Sequence, residues 1–234
     1  MIQGDPSNFY LNGDYEKLNP SWDTDDSAWK ATLVAGLLTR HGLRPATMAE
    51  VGCGAGAVLA ALHRQFPSIR LQGWDIAPGA EHFWSRHEGI FFARGDFASE
   101  SSETFDVVLL LDVIEHVSNP HDFLSRLRTR CKHLVLHVPL DLSAASVLRE
   151  TPILNQRRTV GHIHYFTRAL AVELLVECGY EVLEASFSGA HLRRQQSFKG
   201  SCFQLFRRVI FAMNREVGVR LLGGDTLVIL ARPT

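Results

Sequence analysis

The sequence predicts a doubly wound α/β fold built on a mostly parallel sheet. Strand-like and helix-like segments alternate between residues 47 and 187, which is the pattern of βαβ units. Segment 105–113, FDVVLLLDV, is a continuous apolar run typical of a strand covered by helices on both faces. The last strand-like segment, 225–232, follows the sixth without an ordinary crossover, so we expect a seventh, antiparallel strand.

The elements are predicted in order along the chain. An irregular polar arm over residues 1–24 leads to a helix cap near Asp25 or Asp26, and a helix spans Ser27 to His41. The first six strands are predicted at 47–52, 69–76, 89–96, 105–113, 132–139 and 180–187, with helices at 57–66, 79–87, 120–130 and 167–178.

Two regions depart from plain alternation. We predict a helical N-terminal arm and lid over residues 1–45 and a main domain over 46–234, with insertions at 140–166 and 189–222. The second insertion is basic, and its apolar residues at helical spacing indicate an amphipathic helix, namely Phe203, Phe206, Ile210 and Met213. That helix either caps an acidic or lipid-like ligand, joins a partner, or packs on the core with a solvated basic face.

Composition limits the partners and the compartment. The net charge of −1 argues against nucleic acid as the default partner. The four cysteines are scattered without a CxxC pair, so we expect reduced thiols in a cytoplasmic protein. No signal peptide or membrane-spanning segment is predicted, and a homodimer is a candidate assembly.

A glycine-rich turn follows the first strand. Glu50-Val-Gly52-Cys53-Gly54-Ala-Gly56 joins this strand to a helix, where glycines let the backbone approach a ligand and free N–H groups point at it. Asp75 ends the second strand, about 25 residues later, where a carboxylate can accept both hydroxyls of a ribose. Nicotinamide and flavin dinucleotide sites share these features, so a dehydrogenase is one alternative.

Two further acidic motifs end the third and fourth strands. Gly95-Asp96-Phe97 offers an acceptor for an adenine amino group, and Leu111-Asp112-Val113-Ile114-Glu115-His116 ends the fourth strand. The carboxyl ends of strands one and four flank the ligand crevice of a doubly wound sheet, so all these motifs converge on one cleft. A dinucleotide enzyme has no special need for this set.

Together these motifs resemble class I S-adenosylmethionine-dependent methyltransferases, with the Rossmann-like fold, and among them ubiquinone-biosynthesis-type O-methyltransferases. The resemblance covers residues 47–187 and the last strand. It implies S-adenosylmethionine as cofactor and a small-molecule methyl acceptor, used at oxygen. It further implies cofactor contacts from the motif residues, namely Glu50, Gly52, Cys53, Gly54, Gly56, Asp75, Ile76, Asp96, Phe97, Leu111, Asp112 and Val113.

An oxygen acceptor calls for a base that removes its proton. His116, just past the fourth strand, is the first candidate, although it could equally be a structural histidine at a helix start. His162 and His164, before the helix that follows strand five, are the second candidates, with a loop-structural role as the alternative. A metal site there would need a third ligand such as Asp112 or Glu115, and no closed ligand set is evident, so we expect no metal dependence.

Other functions share this scaffold. The acceptor could be RNA or protein, for which the basic segment is the only support. A non-catalytic cofactor-binding subunit is a further alternative, since the glycines and acids indicate binding and not turnover. Trp22 and Trp29 could close over the cofactor as part of the lid, or belong to a helix packed on the sheet.

Overall fold

The computed structural model describes residues 6–22, 24–190 and 210–234 and has the predicted seven-stranded sheet. The strand order is β3-β2-β1-β4-β5-β7-β6. The strands are β1 Thr47–Val51, β2 Arg70–Asp75, β3 Phe91–Arg94, β4 Phe105–Leu111, β5 Cys131–Pro139, β6 Tyr180–Phe187 and β7 Thr226–Pro233. β7 runs antiparallel to both β5 and β6, whereas β1 to β5 pair in parallel, so the prediction for the last strand is confirmed.

Helices cover both faces of the sheet. They are α1 Asn8–Leu11, α2 Asp14–Leu18, α3 Ser27–Arg40, α4 Ala57–Gln65, α5 Glu81–Trp84, α6 Phe97–Glu100, α7 Pro120–Leu127, α8 Ala144–Arg149, α9 Thr151–Thr159, α10 Arg168–Glu177 and α11 Arg215–Leu222. Asn119 begins α7 and Thr167 begins α10, each accepting a backbone N–H through its side-chain oxygen. These caps fix where the helices following β4 and the first insertion start.

The core forms two layers separated by the sheet. Val108 and Leu110 of β4 are buried with the helices of one face, while Val107 and Leu109 are buried with α3 and α4 on the other. Alternate side chains of a strand point to opposite faces, so both faces of β4 are covered. This explains the continuous apolar run of the fourth strand.

Three local predictions need correction. The N-terminal arm is not irregular, since it contains α1, α2 and a 3₁₀ turn at Thr24–Asp26. Asp26 precedes α3 without a side-chain capping hydrogen bond. The helix predicted at 79–87 is a 3₁₀ turn at Pro78–Ala80 followed by the short α5.

The insertions are only partly within the described ranges. Residues 140–166 contain α8 and α9, followed by an extended stretch that returns towards the sheet. Phe203 and Phe206 of the predicted amphipathic helix lie outside the described residues, as does Cys202, and so does most of the basic segment. Within the described ranges, the other three cysteines are buried and unbridged, and no helix has the length and apolarity to span a bilayer.

Candidate active site

A cavity of about 580 Å³ opens at the carboxyl ends of β1, β2 and β4. The strand order reverses between β1 and β4, which is where doubly wound sheets bind ligands. Its lining includes most of the predicted cofactor residues, namely Glu50, Gly52, Cys53, Gly54, Asp75, Ile76, Asp96, Phe97, Leu111, Asp112 and Val113. The structure therefore brings together motifs that are up to 63 residues apart in the chain.

The glycine-rich turn follows β1 in a conformation that needs glycine. Gly52, Gly54 and Gly56 have φ angles of 72°, 50° and 75°. A Cβ on Gly52 would lie 2.5 Å from Cγ2 of Val113, so its absence lets the turn approach the tip of β4. Gly56 is not in the cavity lining; a Cβ there would lie 2.7 Å from the Phe92 ring, so it serves the turn and its packing.

Asp75 holds the glycine turn from the end of β2. Its Oδ2 accepts the Gly54 N–H at 2.7 Å and its Oδ1 accepts the Ala77 N–H at 2.8 Å. Burial raises the pKa of Asp75, and these two donors oppose that effect. Each carboxylate oxygen keeps a second lone pair for a ligand hydroxyl.

Asp96 and Phe97 line the cavity in different ways. Asp96 begins α6, where its Oδ1 accepts the Ala98 N–H at 3.0 Å. The Phe97 ring is fully buried, with its edge towards Trp74 at a centroid distance of 5.6 Å. The ring thus also belongs to the core of the domain.

Asp112 sits at the tip of β4 with a φ of 58°, an uncommon conformation for a residue other than glycine. Its Oδ2 lies 2.6 Å from Nζ of Lys30, and its Oδ1 lies 2.6 Å from Nδ1 of His137. Burial opposes ionisation, but His137 and Lys30 outweigh it and hold the pKa of Asp112 well below its usual value. The side chain is therefore a fixed negative charge tying α3 to β4 and β5.

Glu50 is a buried carboxyl at the end of β1. Burial raises its pKa to about 8, with Lys30 opposing and Asp75 adding to the shift. Its Oε2 has no hydrogen-bond partner among the described residues. A cationic ligand group in the cavity would pair with this carboxyl and favour its ionised form.

Beyond the tip of β4, three side chains form what we call the Glu115 cluster: Glu115, His116 and His162. Oε1 of Glu115 lies 3.9 Å from Nε2 of each histidine, and the two imidazole centroids are 4.9 Å apart. Burial lowers the pKa of His116 to about 4, and His162 adds to the shift. Burial and the Asp112 carboxylate raise the pKa of Glu115 well above its usual value.

The three predicted histidines have different surroundings. His116 lines the cavity, with Tyr10 against its ring edge at a centroid distance of 5.5 Å. His162 is buried behind His116, and its Nδ1 lies 2.7 Å from Oδ2 of Asp141. His164 has a different partner, because its Nε2 lies 2.9 Å from the Val117 carbonyl oxygen. This hydrogen bond is suited to holding the loop.

The arm forms one wall of the cavity. Tyr10, Tyr15 and Trp22 line it, with Tyr15 and Trp22 packed edge to face at 5.4 Å. Trp29 is not in this wall, because its ring meets the His137 ring at 5.7 Å on the sheet side. Trp22 thus belongs to the wall of the cavity, and Trp29 packs on the sheet, so each of the two predicted alternatives holds for one tryptophan.

Sequence reasoning missed Lys30, His137 and Asp141. Lys30 precedes the region covered by the motif resemblance, and His137 lies inside an apolar strand that carries no recognisable motif. Asp141 belongs to the first insertion, whose contacts depend on how α8 and α9 fold back. The one available signal was the occurrence of charged groups in otherwise apolar segments.

Comparison with known proteins decides the family. The sequence profile of the family described as "Methyltransferase domain" matches residues 28–185, more than half of the chain. The chain belongs to this methyltransferase family. With the class I sheet order and the motifs above, it is an S-adenosylmethionine-dependent methyltransferase, as the sequence resemblance implied. No curated protein sequence matches the chain.

Solved structures of similar fold belong to several methyltransferases. The methyltransferase is 16% identical to the plantazolicin methyltransferase BpumL in complex with a monoazolic desmethylPZN analog and SAH (TM-score 0.64, covering 98% of this chain and 93% of that one). It is 18% identical to the N-methyltransferase NodS from Bradyrhizobium japonicum WM9 in complex with S-adenosyl-l-homocysteine (TM-score 0.54, covering 87% of this chain and 85% of that one). It is 21% identical to the mitomycin 7-O-methyltransferase MmcR (TM-score 0.55, covering 80% of this chain and 49% of that one). Likenesses at this level of identity show the fold.

Proposed function

We propose that this methyltransferase transfers a methyl group to the oxygen of a small-molecule acceptor. The observation that carries the proposal is that the cofactor motifs line the same cavity as His116 and the aromatic wall of the arm. Its volume of about 580 Å³ falls within the usual range for small-molecule sites, roughly 300–1,000 Å³. A nucleic-acid acceptor would instead call for a basic surface.

The cofactor is proposed to lie along the ends of β1, β2 and β4. Glu50, Gly52 and Gly54 face its methionine part, with Cys53 contributing through its backbone. Asp75 and Ile76 receive the ribose and adenine, while Asp96 and Phe97 meet the adenine edge. Leu111, Asp112 and Val113 complete the methionine side, and the arm of residues 1–45 acts as the lid.

The methyl group of the cofactor is activated by its sulfonium, so the protein mainly has to align the acceptor with it. A hydroxyl acceptor is a poor nucleophile until it loses its proton, whereas a neutral amine needs no base. An imidazole that lines the cavity therefore favours oxygen. His116 is the proposed proton acceptor, because burial leaves its ring neutral at physiological pH. His162 and His164 are the weaker candidates.

A methyl-transfer screen tests the proposal. The protein is incubated with methyl-labelled S-adenosylmethionine and separate sets of phenols, sugars, amines and RNA, and the label in each acceptor is measured. We expect label in phenols or sugars. Transfer to RNA alone, or to amines alone, would contradict the proposed acceptor class while leaving the cofactor assignment intact.

A further inference from the structure

The Glu115 cluster has a polar group that the described residues do not satisfy. The Glu115 side chain is fully buried, and neither of its carboxylate oxygens has a hydrogen-bond partner within the described ranges. Burying a carboxyl unpaired is costly, so Glu115 calls for a partner that residues 6–22, 24–190 and 210–234 do not provide.

The cluster has the geometry of a ligand set. One candidate ligand atom from each of Glu115, His116 and His162 can be chosen so that all three lie within 4.8 Å of one another. In a tetrahedral site with ligand bonds of about 2.0–2.1 Å, neighbouring ligand atoms are roughly 3.3 Å apart. The separations of 3.9 Å between Glu115 Oε1 and Nε2 of each histidine need a contraction of a few tenths of an ångström per residue.

Asp141 orients one of the histidines. Its Oδ2 lies 2.7 Å from Nδ1 of His162, and Nε2 of the same ring faces Glu115. A carboxylate that holds one imidazole nitrogen so that the other is presented to an ion is the usual support of a metal-binding histidine. Neither Asp141 nor His162 belongs to the motifs that form the cofactor side of the cavity.

We propose that Glu115, His116 and His162 bind a divalent transition-metal ion at the wall of the cavity, with Asp141 as a positioning residue. Two imidazoles and one carboxylate suit zinc or cobalt(II), and three protein ligands leave a coordination position for another molecule. Since His116 lines the cavity, an ion bound to its ring would lie beside the cavity. This proposal replaces the sequence-based expectation that no metal takes part.

The role of the ion rests on the proposed function, whereas its binding does not. An acceptor hydroxyl bound at the open position would lose its proton to water more readily, and the resulting oxyanion would attack the methyl group. His116 would then act as a ligand, with the ion stabilising the charge that the free imidazole would otherwise have to accept as a proton.

Cobalt(II) titration tests the site without any methyl acceptor. The protein is freed of metal by dialysis against EDTA, and cobalt binding is followed by visible absorption and equilibrium dialysis. We expect one cobalt per chain, displaced by zinc. Glu115→Gln and His162→Gln should bind cobalt about 100-fold more weakly or not at all, and Asp141→Asn about 10–100-fold more weakly.

The matched control is His121→Gln, which removes an exposed histidine paired with Glu177 at 3.0 Å. It should bind cobalt like the wild type. Circular dichroism and S-adenosylhomocysteine binding check that each variant is folded. The proposal is overturned if the wild type binds no cobalt at millimolar concentration, or if Glu115→Gln and His162→Gln bind it as tightly as the wild type. If cobalt binds as expected but S-adenosylhomocysteine does not, the proposed function fails and the metal site stands.

Discussion

The two sides of the cavity are built in different ways. On the cofactor side, acidic groups are held by nearby backbone: Asp75 accepts N–H groups of Gly54 and Ala77, and Asp96 caps its own helix. On the other side, the buried Glu115 carboxylate has no hydrogen-bond partner in the described part of the chain and faces His162, which belongs to the first insertion. Asp75 and Asp96 therefore have their hydrogen-bond partners before any ligand binds, and Glu50 beside them keeps one unpartnered oxygen, whereas neither carboxylate oxygen of Glu115 has a partner among the described residues.

This contrast predicts that the two sides can be disabled separately. Substitutions at the ends of β1, β2 and β4 should weaken cofactor binding. Substitutions in the Glu115 cluster should slow methyl transfer while the cofactor still binds. A variant that affects both sides together would show that the comparison is wrong.

The largest effect is expected for His116→Ala. Without the imidazole, no base removes the proton of the acceptor. If an ion is bound at the Glu115 cluster, the substitution removes one of its ligands. We expect kcat to fall by roughly 10²–10⁴, with the Kd of S-adenosylhomocysteine changed by less than about twofold. Single-turnover transfer to the best acceptor from the screen, together with calorimetry, measures both.

His162→Ala and His164→Ala sharpen this result. If all three single variants bind cofactor and keep near-normal kcat, then the acceptor is a neutral amine or already ionised. In that outcome the Glu115 cluster is not part of the chemistry, and the proposed oxygen acceptor is withdrawn.

Asp75→Ala should have the next largest effect, on the cofactor side. The carboxylate both fixes the glycine turn and is proposed to accept ribose hydroxyls, and a hydrogen bond to a charged group contributes about 1.5–3 kcal/mol. We expect the Kd of S-adenosylhomocysteine to rise by about 10–100-fold, measured by calorimetry.

Asp106→Ala is the matched control for Asp75. Asp106 also accepts two backbone N–H groups with one carboxylate oxygen, from Ala46 at 2.7 Å and Thr47 at 3.1 Å, but at the opposite end of β1. Its loss should lower the melting temperature and leave cofactor affinity unchanged. Equal weakening of affinity by both substitutions would mean that Asp75 acts through general stability alone.

The smallest expected effect is the release of a proton from Glu50 when the cofactor binds. With a pKa of about 8, Glu50 carries its proton in the free protein at pH 7. A cationic amino group of the cofactor placed beside it would lower that pKa, so binding should release up to one proton at pH 7 and none well above pH 8. Calorimetry in buffers of different ionisation enthalpy measures the release, which Glu50→Gln should abolish. Release that persists in this variant would assign the proton to another group.

The same contrast explains what the sequence could predict. The strands, the antiparallel last strand and the convergence of the motifs on one cleft could be predicted, because each motif is contiguous and lies at the end of a strand. The Glu115 cluster was not recoverable as a unit, since Glu115, His162 and Asp141 meet only when the 140–166 insertion folds back. Lys30 illustrates the same limit, because its ion pair with Asp112 joins residues 82 positions apart.

The short elements were missed for a related reason. The helices α1 and α2 are four and five residues long, too short for a hydrophobic period to stand out. Their stability comes from contacts such as the packing of Phe9 against the Tyr10 and Tyr15 rings. Sequence periodicity does not report such contacts.

Titration of the wild-type protein with S-adenosylmethionine and, separately, with NAD tests the central claim most directly. That claim is that the ends of β1, β2 and β4 form a site for the methyl donor and not for a dinucleotide. We predict saturable, one-to-one binding of S-adenosylmethionine and of S-adenosylhomocysteine by calorimetry, and no binding of NAD at the same concentrations. Saturable binding of NAD with no binding of either S-adenosyl compound would contradict the account.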